Sequence, residues 1–261
     1  MIALLAAAAV VGPILSPYHP DTHQPALQYA GPSLSHPLGA DFFGRDVLTR
    51  VFQGARISMG IACVSVLLSL TVGALVGLTA GMVGGKVDAV LMRGVDVILA
   101  FPRLFLLLMV AALWQGSGIT PLMLVLVLGL TSWFDTSRLV RAQVLSLRER
   151  DFVLASRALG LPLVPTVLRH ILPNVAGPIL VSGALGVATM VLAEAGLSYL
   201  GLGIPQPTAT LGRMIADGQE TLRQAPWNAL GPGIYLTLSV LTFAWLSEGL
   251  REANETRGSA R

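Results

Sequence analysis

The sequence predicts an all-α integral membrane protein with about six transmembrane helices, on the strength of three observations. Hydrophobic residues make up 54% of the 261 residues and charged residues only 12%, whereas a soluble domain carries roughly 25% charged residues. Six apolar runs approach the roughly 20 residues that a helix needs to cross the hydrocarbon core of a bilayer. Basic residues are concentrated in loops that would lie on one side of the membrane. Lipid is therefore expected to cover much of the surface.

The predicted spans follow one another along the whole chain. The first is short and rich in alanine. We interpret it as a retained span, with a cleaved signal peptide as the alternative, because no Lys or Arg precedes it. The third is interrupted by Pro102 and Arg103, and the backbone groups that such a proline frees need partners on a neighbouring helix. The six predicted spans are Ile2–Leu15, Ile57–Met82, Val97–Leu113, Leu122–Phe134, Ile179–Leu200 and Leu230–Leu246.

The distribution of basic residues orients these spans. With the amino terminus in the cytoplasm, the inner loops are Val83–Asp96, Asp135–Ala176 and the tail after Ser247. They carry more basic residues than the outer loops, as expected for cytoplasmic segments, so we expect both termini to be cytoplasmic. The inner loops hold Lys86, Arg93, Arg138, Arg141, Arg148, Arg150, Arg157, Arg169, Arg251, Arg257 and Arg261, and the outer loops hold Arg45, Arg50, Arg56, Arg213 and Arg223.

The inner loop contains a segment, Asp151–Pro173, that is predicted to form two short helices joined by a glycine turn. Asp151 can cap the first helix, and Gly160 lies where a helix end favours glycine. Pro165 can open the second helix, and Pro173 is expected to end it. An apolar face at helical spacing predicts that the pair lies along the membrane surface. That face consists of Val164, Val167, Leu168 and Ile171.

The spacing of Ala155-Ser156, Gly160 and Leu172-Pro173 resembles the "EAA" loop of ABC-importer permeases. In that family the loop carries the short coupling helix that an ATPase subunit grips. Leu154 stands where the family has Glu, so a salt bridge of that Glu is not carried over. The alternative is an interfacial helix pair that only anchors the loop. The resemblance assigns ATPase docking to Asp151, Ala155, Ser156, Arg157, Ala158, Gly160, Leu172 and Pro173.

Further segments resemble the dipeptide, oligopeptide and nickel permease group, and within it the second, C-type, permease subunit. One departure is Leu211-Gly212, which stands where the family usually has Trp-Gly. The matching segments are HPLGADFFGRDVLTRVFQGARIS (His36–Ser58), MRGVDVILAFP (Met92–Pro102), EAGLSYLGLGIPQP (Glu194–Pro207) and LSEGLREANE near the end.

The resemblance implies a type I ABC-importer permease in a bacterial or archaeal plasma membrane. Its expected partners are a second permease subunit in a heterodimer, two ATPase subunits, an extracytoplasmic solute-binding protein and the lipid bilayer, with no nucleic acid. The implied organisation is a first transmembrane helix (1–16), an external loop with an interfacial helix (17–56), a permease core (57–250) that contains the coupling loop (135–176), and a cytoplasmic tail (251–261).

The external loop is predicted to carry an amphipathic helix over Asp41–Arg56, before the second span. Its expected role is that of a plain interfacial helix, and contact with a solute-binding protein is the alternative. The two faces separate at helical spacing. The apolar face holds Phe43, Val47, Val51 and Ala55, and the polar face holds Arg45, Asp46, Arg50 and Gln53.

The chain shows no ATP site of its own. Lys86 lies in Gly84-Gly85-Lys86-Val87, but a phosphate-binding loop needs a glycine at the position of Ala80 and Ser or Thr at that of Val87. We therefore expect no enzyme activity and no bound cofactor, with ATP and Mg on the partner ATPases. The sequence also lacks HExxH and GxSxG motifs, which gives a protease no support.

The expected function is that of a permease subunit in an ATP-driven peptide importer. A nickel-chelate importer of the same group is the alternative, and an ion-coupled secondary carrier is a more distant one. Two charged residues within spans, Arg103 and Glu194, are candidates to line the pathway. The simpler interpretation is that each pairs with a neighbouring polar group or reaches the membrane surface.

Overall fold

The structure, a computed structural model, describes residues 1–113, 119–151, 153, 156 and 162–259. These residues form helices and no β-strand, and one isolated antiparallel bridge joins Ala40 to Asp46. The helices are α1 (Ile2–Leu15), α2 (Val47–Val83), α3 (Gly85–Leu99), α4 (Arg103–Ala112), α5 (Pro121–Leu130), α6 (Trp133–Leu147), α7 (Leu172–Tyr199), α8 (Leu211–Gln219) and α9 (Trp227–Ser259). A 3₁₀ turn covers Pro25–Leu27, and a helical turn at Leu163–Thr166 leads through π-helical Val167–Ile171 into α7.

The predicted all-α membrane class is confirmed. By length and composition, three of the described helical segments can each cross a membrane: Val47–Val83, Val167–Tyr199 and Trp227–Glu255. Two bent pairs, α3 with α4 and α5 with α6, raise the number to five if each pair is one span. The apolar helix α1 is shorter, and its bounds are those of the predicted first span.

The middle spans are bent, and their helices differ from the bounds that the apolar runs predicted. The predicted third span is broken: α3 and α4 meet at an angle of 85° around Ala100–Pro102. The residue before a proline avoids the α conformation, which explains the break. Between α5 and α6 the bend is 40°. The segment Val83–Asp96, predicted as a loop, is mostly helical because it belongs to α3.

The predicted separate interfacial helix over Asp41–Arg56 is not observed. Instead α2 is continuous from Val47 to Val83. Asp46 precedes α2, and its Oδ2 accepts hydrogen bonds from the backbone N (2.8 Å) and Oγ1 (2.6 Å) of Thr49. A side-chain acceptor of this kind satisfies a free N–H of the first turn. The helix therefore starts six residues later than predicted, and runs into the span without a break.

Pro173 was predicted to end a helix, and this prediction is wrong. Pro173 lies in the first turn of α7, and this helix directly follows the π-helical residues Val167–Ile171. A proline ring collides with the carbonyl of the residue four positions earlier in an α-helix. The wider π turn relieves this collision, so the helical path continues through Pro173.

The chain divides into two compact units. Unit 1 comprises Met1–Val64, Leu108–Leu128 and Val187–Ala244, and unit 2 comprises Ser65–Leu107, Gly129–Gly186 and Trp245–Arg261. Tyr235 ties α9 to α1 within unit 1, because its hydroxyl donates to the carbonyl of Leu5 at 2.6 Å. The apolar core of unit 1 includes Leu5, Ala9, Val47, Val51, Ala55, Ala209, Leu211, Met214 and Tyr235.

In unit 2, α2 and α6 approach each other closely through glycines. A Cβ at Gly73 would lie 2.6 Å from the Cβ of Thr136, and one at Gly77 would lie 2.8 Å from the Cβ of Val140. Gly81 repeats the pattern against Val144 at 2.7 Å. Small residues at a spacing of four allow helix backbones to approach in membranes. We call this set the small-residue stripe; with the buried serines it comprises Ser65, Ser69, Gly73, Gly77 and Gly81.

Candidate functional site

Ion pairs between α3 and α6, within unit 2, form a frame of charged side chains that precedes the predicted docking segment in the chain. Arg141 on α6 binds Asp88 in the first turn of α3 with two hydrogen bonds, from Nε at 2.5 Å and from Nη2 at 2.6 Å. A second ion pair joins Arg138 to Asp96. Bidentate arginine–carboxylate pairs fix orientation as well as distance. The two pairs therefore set the position of α3 along α6.

A third arginine extends this frame to the end of α2. Arg148 follows α6 directly, and its Nη1 donates to the carbonyl oxygen of Gly81 at 3.2 Å. Gly81 is also the last member of the small-residue stripe. Charged hydrogen bonds to a carbonyl are stronger than neutral ones, so the end of α6 is fastened where the docking segment begins.

Beneath the docking segment lies an apolar cluster of buried side chains. Val153 is 0% exposed and packs with Val144 and Ile171, which are also 0% exposed. Ser156 is buried at 6%, whereas Asp151 is exposed. Val153 of the predicted docking segment is thus part of the apolar core of unit 2. The cluster comprises Met82, Val140, Val144, Val153, Ile171 and Val175.

The second part of the segment presents a mixed apolar and basic surface. Thr166 is buried at 2%, and its Oγ1 donates to the carbonyl of Pro162 at 3.1 Å. Leu168, by contrast, is 58% exposed, and Arg169 beside it is exposed as well. Protein interfaces combine exposed apolar side chains with arginine in this way. We call this the docking face; it comprises Pro162, Pro165, Leu168, Arg169 and Pro173.

The predicted docking residues are distributed unevenly over this region. Asp151 and Pro173 are exposed, Leu172 is half-buried, and Ser156 is buried. The remaining four predicted residues lie outside the part of the chain that the structure describes; they are Ala155, Arg157, Ala158 and Gly160. Their assignment to docking therefore stays a prediction from the motif spacing.

The two pathway candidates have different surroundings and belong to different units. Arg103, in unit 2, is exposed at the start of α4, and its Nη2 donates to Ser132 Oγ at 2.7 Å. Glu194, in unit 1, is 0% exposed and accepts a hydrogen bond from Ser198 Oγ at 2.7 Å. The hydroxyl groups of Ser58 and Thr210 lie beside the same carboxyl group.

The sequence did not predict the ion pairs between α3 and α6, although the glycines of the small-residue stripe carried a recognisable pattern. The glycines at 73, 77 and 81 repeat every fourth residue, which is the spacing of close helix contacts in membranes. The pairing of Asp88 with Arg141 carried no comparable signal, because the two residues are far apart in the chain. Within the described residues, no group of three or more His, Cys, Asp or Glu side chains is arranged to hold a metal ion.

Reversing the charge at one end of the frame is expected to weaken unit 2. Arg141→Asp places a carboxylate against Asp88 and removes two charge-assisted hydrogen bonds. We expect a loss of about 1–3 kcal/mol in stability, measured by thermal unfolding of the purified protein. Adding Asp88→Arg is expected to restore more than half of the loss. Arg93→Asp serves as control, because it reverses an exposed charge on α3, the helix that carries Asp88. Equal losses in the single and double variants would contradict the pairing.

Comparison with known proteins adds independent information. Residues 73–257 match the family described as "Binding-protein-dependent transport system inner membrane component". A peptide permease protein of Brucella ovis is 42% identical over 252 residues, which are 96% of this chain and 82% of that protein. The dipeptide transport system permease protein of Alkalihalophilus pseudofirmus is 36% identical over 94% of this chain and 80% of its own length. The oligopeptide transport system permease protein of Bacillus subtilis is 35% identical, with 97% and 82% covered.

Solved structures share the fold. The inward-facing MetNI methionine ABC transporter contains a chain that matches with a TM-score of 0.63 at 17% identity, covering 78% of this chain and 95% of that one. A crystal structure of an amino acid ABC transporter with histidines matches with a TM-score of 0.58 at 18% identity, covering 78% and 94%. At such identities the likeness concerns the fold alone.

Proposed function

Because the chain belongs to the family of binding-protein-dependent transport system inner membrane components, we propose that it is a permease subunit of an ATP-driven peptide importer. The observation that carries this proposal is the 42% identity, over 96% of the chain, to a protein named as a peptide permease. Relatives named for dipeptide and oligopeptide transport support the same cargo class over a nickel chelate. Transport would proceed through a conformational change of the helices, and no chemical reaction would take place in this chain.

The proposed assembly contains this chain, a second permease subunit, two ATPase subunits and an extracytoplasmic solute-binding protein. ATP and Mg would bind to the ATPase subunits, and the two permeases would form the pathway between them. We place both termini and the docking segment in the cytoplasm, on the distribution of basic residues. The division into an external loop (17–56), a permease core (57–250) and a tail (251–261) belongs to the same proposal.

Docking is proposed to couple the ATPases to the spans through the segment Asp151–Pro173. The exposed docking face would contact an ATPase, while buried Val153 holds the segment to unit 2. The ion pairs of Asp88 and Asp96 with α6 would carry the resulting movement to α3. A packed and charge-paired frame of this kind moves as a body rather than deforming continuously.

The surroundings of the two pathway candidates support different roles within this proposal. Arg103 is exposed, so it can reach the pathway and meet a peptide carboxylate once Ser132 releases it. Glu194 is enclosed by hydroxyl groups and fully buried. The hydrogen bond from Ser198 Oγ to Oε1 favours a role in fixing the fold of unit 1, although the buried Oε2 has no hydrogen-bond partner among the described residues.

Reconstitution tests the function directly. Proteoliposomes containing this chain, the second permease and both ATPases, with the binding protein added, are expected to accumulate labelled dipeptide only when ATP is supplied. A protonophore should leave that uptake unchanged. Uptake that survives without the ATPases but collapses with the protonophore would contradict the proposal and favour an ion-coupled carrier. Accumulation of a nickel chelate instead of dipeptide would favour the alternative function, a nickel-chelate importer.

A further inference from the structure

A cavity of about 380 Å³ lies within unit 1. Its volume falls in the range of roughly 300–1,000 Å³ that is typical of small-molecule sites. One wall comes from the segment that precedes α2 and from the start of that helix, and the other comes from α8 and the residues that follow it. Both walls belong to loops that the charge distribution places on the outer face of the membrane. The described docking residues and the two pathway candidates, Arg103 and Glu194, do not line this cavity.

The first wall is held rigid by buried arginines. Arg50 is 3% exposed, and its Nη1 donates to Asp21 and to the carbonyl of Pro20, each at 3.0 Å. Arg45 is 4% exposed and donates from Nε to Asp41 at 2.7 Å. The turn just before Arg45 needs a glycine at position 44. There φ is +70°, and a Cβ would collide with the backbone carbonyl of Gln24. Both arginines are buried, although they belong to the predicted polar face of Asp41–Arg56.

The second wall carries polar groups that are suited to bind a ligand. Arg213 and Asp217 form an ion pair at 3.0 Å through Nε of the arginine, so the terminal nitrogens of Arg213 can donate to a second carboxylate. Glu220 is exposed at the end of α8. Asn228 is 7% exposed, and its Oδ1 has no hydrogen-bond partner among the described residues. A buried acceptor without a partner is costly, and a ligand that donates a hydrogen bond would remove that cost.

Charges of both signs line the cavity in equal number. Three arginines, Arg45, Arg50 and Arg213, face three carboxylates, Asp41, Asp217 and Glu220. A lining of this kind favours neither an anion nor a cation, but it complements a small molecule with one charge of each sign. Aromatic and aliphatic side chains provide the apolar part of the lining; they are Tyr29, Phe42, Phe43, Val47 and Met214.

We propose that this cavity binds a short zwitterionic peptide on the outer face of the permease. The ammonium group of the peptide would meet Glu220 and Asn228 Oδ1, and its carboxylate would meet the terminal nitrogens of Arg213. The aromatic side chains would contact its side chains. The cavity would thus hold a peptide after the binding protein releases it and before the pathway takes it up. This inference rests on the proposed peptide transport.

Blocked peptides and matched variants test the two ends separately. The probe is L-alanyl-L-alanine, together with its N-acetyl and its C-terminal amide forms. Binding is measured calorimetrically to the complete importer in lipid nanodiscs, without the binding protein. We expect Glu220→Gln to weaken binding of the free dipeptide about tenfold and to leave the N-acetyl form unchanged, since one charge-assisted hydrogen bond is worth about a factor of ten or more. Arg213→Gln should weaken the free dipeptide similarly and leave the amide form unchanged.

Arg223→Gln is the control, because this exposed arginine lies close in sequence but does not line the cavity. Equal binding of free and blocked dipeptides, or unchanged binding in both variants, would overturn the cavity assignment. Uptake by the complete importer with its binding protein is measured in parallel. ATP-driven peptide uptake together with such a binding result would leave the transport function standing. Absence of that uptake in the unmodified importer would overturn both.

Discussion

Gly77→Leu is expected to abolish folding of unit 2, and with it all uptake. The Cβ of the new side chain would lie 2.8 Å from the Cβ of Val140 and 3.0 Å from the backbone nitrogen of Arg141. Carbon atoms in contact prefer a separation of about 3.5–4.0 Å. Adding even one methylene to a well-packed contact costs about 1–3 kcal/mol. Leucine adds four carbons where none fits. We expect a loss of more than about 3 kcal/mol, measured by thermal unfolding and by the yield of folded protein.

The matched control lies on the same helix. Gly60 has no atom within 4 Å of the Cβ that a substitution would add, so Gly60→Leu should fold normally. It should even stabilise α2, because glycine costs about 1 kcal/mol within a helix. If both variants fold with the same stability as the parent protein, the close contact of α2 with α6 is not what the small-residue stripe provides.

Val153→Asp is expected to remove ATPase binding and uptake while leaving the chain inserted in the membrane. Val153 is 0% exposed within the apolar cluster beneath the docking segment. A carboxylate cannot stay there unpaired, since burying an isolated charge costs several kcal/mol. The docking segment should therefore detach from the apolar cluster that contains Val153. Co-purification of the ATPase subunits and ATP-driven uptake measure the loss, and membrane fractionation measures insertion.

Two substitutions serve as controls for Val153→Asp. Val87→Asp introduces the same charge at a valine that is 41% exposed in the first turn of α3, where a helix favours acidic side chains. It should keep both docking and uptake. Val153→Ile keeps the site apolar, so it should keep docking and uptake even if the added methylene lowers stability by about 1–3 kcal/mol. Full uptake with Val153→Asp would mean that coupling does not pass through the seated docking segment.

The membrane class was predictable from sequence because the length of an apolar run is a local property. The predicted first span, Ile2–Leu15, has the same bounds as α1 for this reason. Pro102 also marked the break between α3 and α4, although its angle of 85° depends on the neighbouring helices. Local patterns failed where a proline is accommodated by its context, as at Pro173, which follows a π-helical segment.

The burial of charge was not predictable, because it depends on partners that are distant in the chain. Helical periodicity placed Arg50 on a polar face, yet it is 3% exposed and donates to the carbonyl of Pro207 at 3.3 Å. The pair of Arg141 with Asp88 likewise joins residues from different helices. The docking residues came from motif spacing alone, and the structure adds the seat of Val153 beneath them.

The small-residue stripe also restricts where cargo can travel. Between α2 and α6, at Gly73, Gly77 and Gly81, not even a methyl group fits. A peptide is far larger than a methyl group, and pulling these helices apart would break the close packing of α2 against α6. The seam between α2 and α6 is therefore sealed to permeation, and any route for a peptide runs along other helix faces.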